Sequence, residues 1–215
     1  MAVSPHVAHR DGVAIVTFDR PEVRNAIDAT TVETISRELE KAGTTPEIGA
    51  LLVVAEGEVF SSGQDLVELE AVPPRSRIAY LRGMDRLHRV VACSRIPIVA
   101  AINGPAVGRA AFLTAACSVR VGSPDAEFWL PELQLGVRPD SRAVATLVRA
   151  VGEQRARYLL ATGARIDAEQ AMAFGLLHAV VPKERLRETA EQMARQFAGI
   201  PGRLLKRVGL PPGEY

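Results

Sequence analysis

Two loops of this sequence place small residues between an apolar strand and a helix, where backbone amides are free to bind. The stretches VVAEGEVFSSGQDLVEL (53–69) and IVAAINGPAVGRAAFLTA (98–115) share this pattern. The first N–H groups of a helix have no intrahelical acceptor, so two such turns facing each other can polarise one carbonyl oxygen. That arrangement stabilises an enolate or a tetrahedral oxyanion. The alternative, that small residues only permit tight strand-to-helix turns, stays open on this pattern.

Two carboxylates further along the chain are candidates for proton transfer. Glu132 lies in LPELQLG and Asp140 lies in GVRPDS. One or two carboxylates beside an oxyanion hole are enough to remove a proton at one carbon and return it at another. Each acid also has a structural interpretation. Glu132 follows Pro131 and suits the first turn of a helix, whereas Asp140 precedes SRAVATLVRAV and suits an N-cap.

The elements that must position these residues alternate along the chain. Strands are predicted at Gly12–Pro21, Ala50–Gly57 and Ile96–Gly104, and helices at Asp28–Ala42, Arg77–Val91 and, mostly, from Ala143 onward. This alternation predicts an α/β domain with a mainly parallel sheet covered by helices. We expect one domain over residues 1–200 and an irregular tail over 201–215, where glycine and proline interrupt the pattern.

The composition narrows the classes of function. The 26 Lys and Arg balance 25 Asp and Glu, which does not favour nucleic acid or an anionic membrane as a partner. No apolar run reaches the roughly 18 residues that a membrane helix needs, and no signal segment is recognised. The two cysteines lack CxxC spacing and the four histidines are scattered. The sequence therefore predicts a cytoplasmic protein without a metal.

Five motifs in order carry a resemblance to a known family. They are RPEVRNAI, FSSGQDL, IPIVAAINGPAVG, AEFWLPELQLGVRPD and GLLHAVVP. Their order and spacing resemble the crotonase family, the enoyl-CoA hydratase/isomerase superfamily, over about residues 8–183. The resemblance implies a crotonase-like (ClpP/crotonase) fold of repeated ββα units, usually assembled as homotrimers or hexamers. It also implies an acyl-CoA thioester as substrate, with coenzyme A as part of that substrate and no separate cofactor. Relatives continue into further helices, so the C-terminal helical region is expected to be shortened.

The resemblance assigns the two oxyanion-hole donors to the backbone N–H groups of Gln64 and Arg109. Family members usually carry glycines at the second position, so Arg109 is a departure. A backbone donor does not depend on its side chain, but the space and the conformational freedom beside it change. The Arg109 side chain is expected to reach a carboxylate or the CoA, or to pair with an acid such as Glu132.

The acids depart from the family pattern in one place. Hydratases of the family hold a water between two glutamates, and the first of these positions is Phe112 here, which disfavours hydration. Glu132 matches the second glutamate, and Asp140 matches an aspartate that isomerase-type relatives carry. Arg142 follows where relatives have glycines, and we expect it to crowd the pocket or to pair with Asp140 and lower its pKa.

The remaining substrate contacts implied by the resemblance are Arg24, Ser62, Gly63, Asp65, Leu66, Gly108 and Phe112. Arg24 suits a CoA phosphate, and Asp65 suits a hydrogen bond that fixes its turn. Trp129 is predicted to pack near the pocket wall, and His178 to be a strand-turn residue without a catalytic role.

These expectations favour an acyl-CoA enzyme closer to a double-bond isomerase than to a hydratase, working through an enolate. A non-catalytic acyl-CoA-binding protein with the same fold is the main alternative, because Arg109 and Phe112 both depart from the catalytic pattern. Hydrolysis or decarboxylation of a thioester in a biosynthetic pathway is a third, because one oxyanion hole serves several reactions.

Overall fold

The computed structural model describes residues 5–42, 44–45 and 47–200. Over these ranges the strands are β1 (His6–Arg10), β2 (Val13–Phe18), β3 (Ala50–Ala55), β4 (Ile98–Ile102), β5 (Pro105–Val107), β6 (Val119–Gly122), β7 (Glu127–Trp129), β8 (Arg165–Ile166) and β9 (Ala179–Val180). The helices are α1 (Ala29–Ala42), α2 (Leu66–Ala71), α3 (Arg77–Ala92), α4 (Arg109–Ala115), α5 (Ser141–Val151), α6 (Glu153–Thr162), α7 (Ala168–Phe174) and α8 (Lys183–Ala198). The tail predicted at 201–215 lies outside the described residues.

The larger sheet has the strand order β1-β2-β3-β4-β6-β9. Every neighbouring pair is parallel except the β1–β2 hairpin. The central strands β3 and β4 are almost continuously buried, which is typical of a parallel sheet with both faces covered. The predicted mainly parallel sheet is therefore confirmed.

Alternate residues of the central strands face two separate apolar layers, as the period of a strand requires. Leu51 and Val53 of β3 pack into the larger layer, together with helices α1, α3, α4 and α5. Leu52 and Val54 pack into the smaller layer beneath α8. That helix contributes Leu186, Ala190 and Ala194, which share one face because they lie four residues apart.

A second sheet of three short strands, in the order β5-β7-β8, lies beside the chemistry-bearing loops. Residues 105–107 were predicted as part of a turn, but they pair in parallel with residues 127–129. Isolated parallel bridges, Ile27 with Gln64 and Ser61 with Ala106, connect the first loop to its neighbours. The site is therefore held by extended backbone on both sides.

Candidate active site

The two glycine-containing loops face each other across a shared backbone contact. The Ser61 N–H donates to Pro105 O at 3.1 Å, and the Val107 N–H donates to Ser61 O at 3.0 Å. Gly63 follows with a φ of +86°, and a side chain there would approach Val107 O to 2.5 Å and Arg109 N to 3.3 Å. Glycine is required at this position, because any Cβ would push the loops apart.

Within the described residues, the backbone N–H groups of Gln64 and Arg109 donate no hydrogen bond to another backbone group. The Ile27 N–H donates to Gly63 O at 2.7 Å, and the Asp65 N–H donates to Ile27 O at 2.9 Å. Because neighbouring peptide groups alternate in direction, the Gln64 N–H points away from Ile27. Arg109 is the first residue of α4, where an amide has no intrahelical acceptor. The pair has the composition of a backbone oxyanion hole.

Side-chain hydrogen bonds fix the first loop. Asp65 caps α2, since its carboxylate accepts the Glu68 N–H at 3.0 Å, and it also accepts from Arg20. This is the turn-fixing role predicted for Asp65. The Ser61 hydroxyl donates to Asn25 O at 2.7 Å and accepts the Gly63 N–H at 3.1 Å. These hydrogen bonds fix the backbone on both sides of the Gln64 N–H.

The RPEVRNAI segment supports the same loop, and it contains a residue that the sequence analysis missed. Asn25 is buried with a φ of +52°, and its amide donates to Glu56 O and Val59 O at 2.9 and 2.8 Å. Asparagine adopts a left-handed backbone conformation more readily than most residues, so its presence in this segment was the sequence signal for such a turn. Arg24 accepts the Ser62 N–H through its carbonyl at 2.9 Å, and its side chain is exposed.

Glu132 lies against the second loop. A Cβ on Gly108 would come within 2.9 Å of Glu132 Oε1, and the Gly108 N–H donates to Trp129 O at 2.7 Å. The alternative interpretation, a helix first turn, is confirmed only as a single turn: the Leu135 N–H donates to Pro131 O at 3.0 Å, but residues 132–136 do not continue into a helix. A helix does not form until Asp140 supplies a cap. Glu132 therefore lies beside the glycine that immediately precedes the second donor.

The surroundings of Glu132 alter its acidity. Burial raises the pKa of this carboxyl, and its own backbone hydrogen bond and the Arg109 charge lower it to a smaller extent. Within the described part of the chain, its Oε2 is buried without a hydrogen-bond partner. A carboxyl with a raised pKa exchanges its proton closer to neutral pH, as a general acid or base must.

The Arg109 side chain bridges two elements. Its Nη1 donates to Asp85 Oδ1 of α3 at 3.1 Å, and its Nη2 donates to Gln64 Oε1 at 3.2 Å. The expected pairing of Arg109 with a carboxylate is confirmed, but the acid is Asp85 and not Glu132, the example that the sequence analysis gave. A helical pattern locates α3, but it does not reveal which face of α3 meets the second loop.

Asp140 is the N-cap of α5, which confirms the structural interpretation of this residue. Its Oδ1 accepts the N–H groups of Arg142 and Ala143 at 3.0 and 3.2 Å. The described residues contain no Arg142–Asp140 ion pair, so the expected side-chain pairing is replaced by a backbone one. Asp140 also raises the pKa of His88, but burial dominates and lowers that pKa to about 4. His88 contacts Thr146 Oγ1 at 3.1 Å.

The other residues predicted near the site differ in how far their side chains are buried. Phe112 is buried in the larger apolar layer, whereas Leu66 is 61% exposed on α2. Trp129 stacks beneath Arg165 at 4.2 Å. His178 accepts the Arg120 N–H at 3.1 Å, which is a structural contact in a strand turn.

Neither a metal site nor a membrane span is found in the part of the chain that the structure describes. No group of three or more His, Cys, Asp or Glu side chains there is arranged to hold a metal ion. No helix within those residues is both long and apolar enough to cross a bilayer. Cys117 is free and buried, and burial raises the pKa of its thiol to about 12.

Comparison with known proteins identifies the class of protein. A family model described as "Enoyl-CoA hydratase/isomerase" matches residues 8–207. The enoyl-CoA hydratase/isomerase of Pseudoalteromonas atlantica has a similar structure, with a TM-score of 0.82 and 29% identity, over 95% of this chain and 80% of that chain. The chain belongs to the enoyl-CoA hydratase/isomerase family, and its fold is the crotonase fold.

Individual relatives differ in the reactions that their names give. The chain is 31% identical to the 2,3-dehydroadipyl-CoA hydratase of Escherichia coli, over 89% of this chain and 74% of that protein. It is 32% identical to 4-chlorobenzoyl coenzyme A dehalogenase-2 of an Arthrobacter species, over 92% of this chain and 73% of that protein. It is 31% identical to the rat mitochondrial enoyl-CoA hydratase domain-containing protein 3, over 89% of this chain, and spans 64% of that protein's length.

Proposed function

We propose that this protein processes acyl-CoA thioesters by forming an enolate in the backbone oxyanion hole, with Glu132 as the proton carrier. Its reaction is closest to double-bond isomerisation. The observation that carries the proposal is the position of Glu132 Oε1, which a Cβ added to Gly108, the residue before the proposed Arg109 donor, would approach to 2.9 Å. We propose that this acid and the two amides act on the same substrate thioester. Coenzyme A enters as part of the substrate, and no separate cofactor takes part.

The reaction follows from these positions. The thioester oxygen accepts hydrogen bonds from the Gln64 and Arg109 N–H groups, which stabilise negative charge on that oxygen. The Glu132 carboxylate removes the α-proton of a 3-enoyl thioester and leaves a dienolate. The same carboxyl then returns the proton at the γ-carbon, and the double bond moves into conjugation with the carbonyl. Protons and electrons balance without any further reactant.

Phe112 favours isomerisation over hydration. It is buried in the core, and a phenyl ring neither accepts a proton nor orients a water. Asp140 remains a proposed second acid, although its Oδ1 is engaged in the α5 cap. Glu132 alone suffices for a proton transfer between two carbons on one face of the substrate.

The proposal is tested by proton exchange. A 3-enoyl-CoA thioester should develop the absorbance of a conjugated enoyl thioester, and in D₂O it should gain deuterium whenever the Glu132 proton exchanges with solvent before it is returned. We expect Glu132→Gln to slow both by about 10²–10⁴-fold while acyl-CoA binding persists, because an amide cannot carry the proton. Glu127→Gln is the matched control, since this acid on β7 pairs with Arg165 instead. Unchanged exchange in Glu132→Gln contradicts the assignment.

Non-catalytic acyl-CoA binding is the second candidate function, and two observations favour it. Asp140 serves as a helix cap, and the position of a family acid is occupied by the buried Phe112. Calorimetric binding of acyl-CoA without deuterium exchange or turnover would support this candidate. Release of free CoA would instead support hydrolysis. We propose assembly as a homotrimer or hexamer for either candidate, which size-exclusion chromatography with light scattering tests.

A further inference from the structure

The Arg109 guanidinium belongs to a residue of the proposed oxyanion hole. Its own backbone N–H is one of the two proposed donors, so the side chain starts from the same residue that holds the thioester oxygen. The side chain is 19% exposed and points to Asp85 and Gln64. A guanidinium within one side-chain length of the carbonyl is an unfavourable neighbour for a plain alkyl chain, because covering it removes its hydration without replacing it.

Three polar atoms around this guanidinium lack partners. Within the described ranges, Arg109 Nε, Gln64 Nε2 and Glu132 Oε2 are all buried without a hydrogen bond. Two of them are donors, and they belong to side chains that already contact each other at 3.2 Å. Buried donors are nearly always paired, so unpaired donors beside a reaction site point to a ligand that supplies acceptors.

The geometry of the arginine indicates which acceptor fits. Nε–H and one Nη2–H of a guanidinium form an edge that matches the two oxygens of a carboxylate. In this structure the neutral Gln64 Oε1 bonds Nη2, and Nε is left unpaired. Asp85 bonds the other amino group, Nη1. A ligand carboxylate can therefore take the Nε–Nη2 edge by displacing one neutral amide while the Asp85 pair remains.

We propose that the preferred substrate is a short acyl-CoA whose acyl group ends in a carboxylate, and that Arg109 binds this carboxylate. The inference rests on the proposed function, since it assumes that a thioester occupies the oxyanion hole. Arg109 then has two separate roles: its backbone holds the carbonyl, and its side chain selects the acyl group. Gln64 also has two roles: its backbone N–H is the other proposed donor, and its side-chain Oε1 accepts from Arg109 Nη2 until the substrate carboxylate takes that place.

Matched thioesters test the inference. Malonyl-CoA and succinyl-CoA are compared by calorimetry with propionyl-CoA and butyryl-CoA, which have the same number of acyl carbons. We expect the wild-type protein to bind the better of the two carboxylate ligands at least about tenfold more tightly than its alkyl counterpart, because a site built for hydrogen bonds rejects an analogue that lacks them. Arg109→Met should abolish this preference by weakening the binding of malonyl-CoA and succinyl-CoA more than that of their alkyl counterparts.

Asp85→Asn gives an independent check that leaves Arg109 in place. Removing the negative charge of Asp85, which offsets that of the guanidinium, should increase the preference for malonyl- or succinyl-CoA, the opposite direction to Arg109→Met. Thermal unfolding of each variant shows that it is folded. Equal binding of both ligand types by the wild type, or a preference that survives Arg109→Met, overturns the inference and leaves the proposed function standing. If the wild type binds none of the four thioesters, both are wrong.

Discussion

Arg120 in β6 and Arg109 at the start of α4 both hold a guanidinium inside the fold, but their partners differ. Arg120 donates to the carbonyl oxygens of Leu176 and Cys117 at 2.7 and 2.6 Å, with longer bonds to those of Gly175 and Ala115. These four acceptors are backbone carbonyl oxygens, so the Arg120 guanidinium is paired without a carboxylate. Among the described residues, Arg109 pairs with one acid and one amide, and its Nε has no partner.

The difference separates an arginine that builds the fold from one that is available for binding. Arg120 connects β6 to the segment after α7, and its hydrogen bonds replace those that water would make. Arg109 connects the second loop to α3, and its Nε has no hydrogen-bond partner in the part of the chain that the structure describes. Three predictions test this contrast, from the largest expected effect to the smallest.

The first prediction concerns the same substitution at both sites. Arg120→Leu should lower the free energy of unfolding by about 3–5 kcal/mol, because it leaves several buried carbonyl groups unpaired. Arg109→Leu should lower it by less than about 1 kcal/mol, because a partly exposed ion pair stabilises little. Urea unfolding measures both values. Equal losses at the two sites would contradict the distinction.

The second prediction concerns the histidines near each arginine. His88 has a pKa of about 4 in the fold, below its ordinary 6.5, so the unfolded chain binds more protons between these values. Its stabilising contribution is complete above pH 6.5 and is lost as the pH falls through 4, by on the order of 3 kcal/mol. His88→Gln should flatten that part of the pH–stability curve, as measured by urea unfolding at several pH values.

His178, beside Arg120, also has a lowered pKa, caused first by burial and then by the Arg120 charge. It should act in the same direction, so His178→Gln is the comparison variant. A pH dependence that His88→Gln leaves intact would show that the Arg109 side of the molecule is not the acid-sensitive one.

The third prediction, with the smallest effect, is a gain in stability at the site. Burial raises the pKa of Glu132, so the folded state favours its protonated form. The contribution of Glu132 to stability falls as the pH rises through that raised pKa, and at neutral pH its charge opposes folding. Glu132→Gln should therefore unfold at a slightly higher temperature at pH 7 and gain less at low pH. A lower melting temperature at pH 7 would count against this account.

The sequence predicted the scaffold better than the site contacts. Apolar runs such as 50–55 and 98–102 locate the central strands, because a strand buried on both faces has few alternatives. The three-residue strands 105–107 and 127–129 were missed, since so short a segment shows no periodicity. The Arg109–Asp85 pair was also missed, because it depends on how α3 is rotated against the second loop. The role of Asp140 as a cap follows from its position before SRAV.

The proposed oxyanion hole uses only main-chain atoms at positions 64 and 109, and Gly63 allows the two loops to approach closely because a Cβ there would meet Val107 O at 2.5 Å. On this proposal, the backbone of these two residues polarises the thioester and their side chains select the acyl group. A library that randomises codons 64 and 109 and keeps the glycines at 63 and 108 would sample new acyl groups without dismantling the chemistry. On this proposal, the side chains at positions 64 and 109 can be exchanged while the two backbone N–H donors are kept.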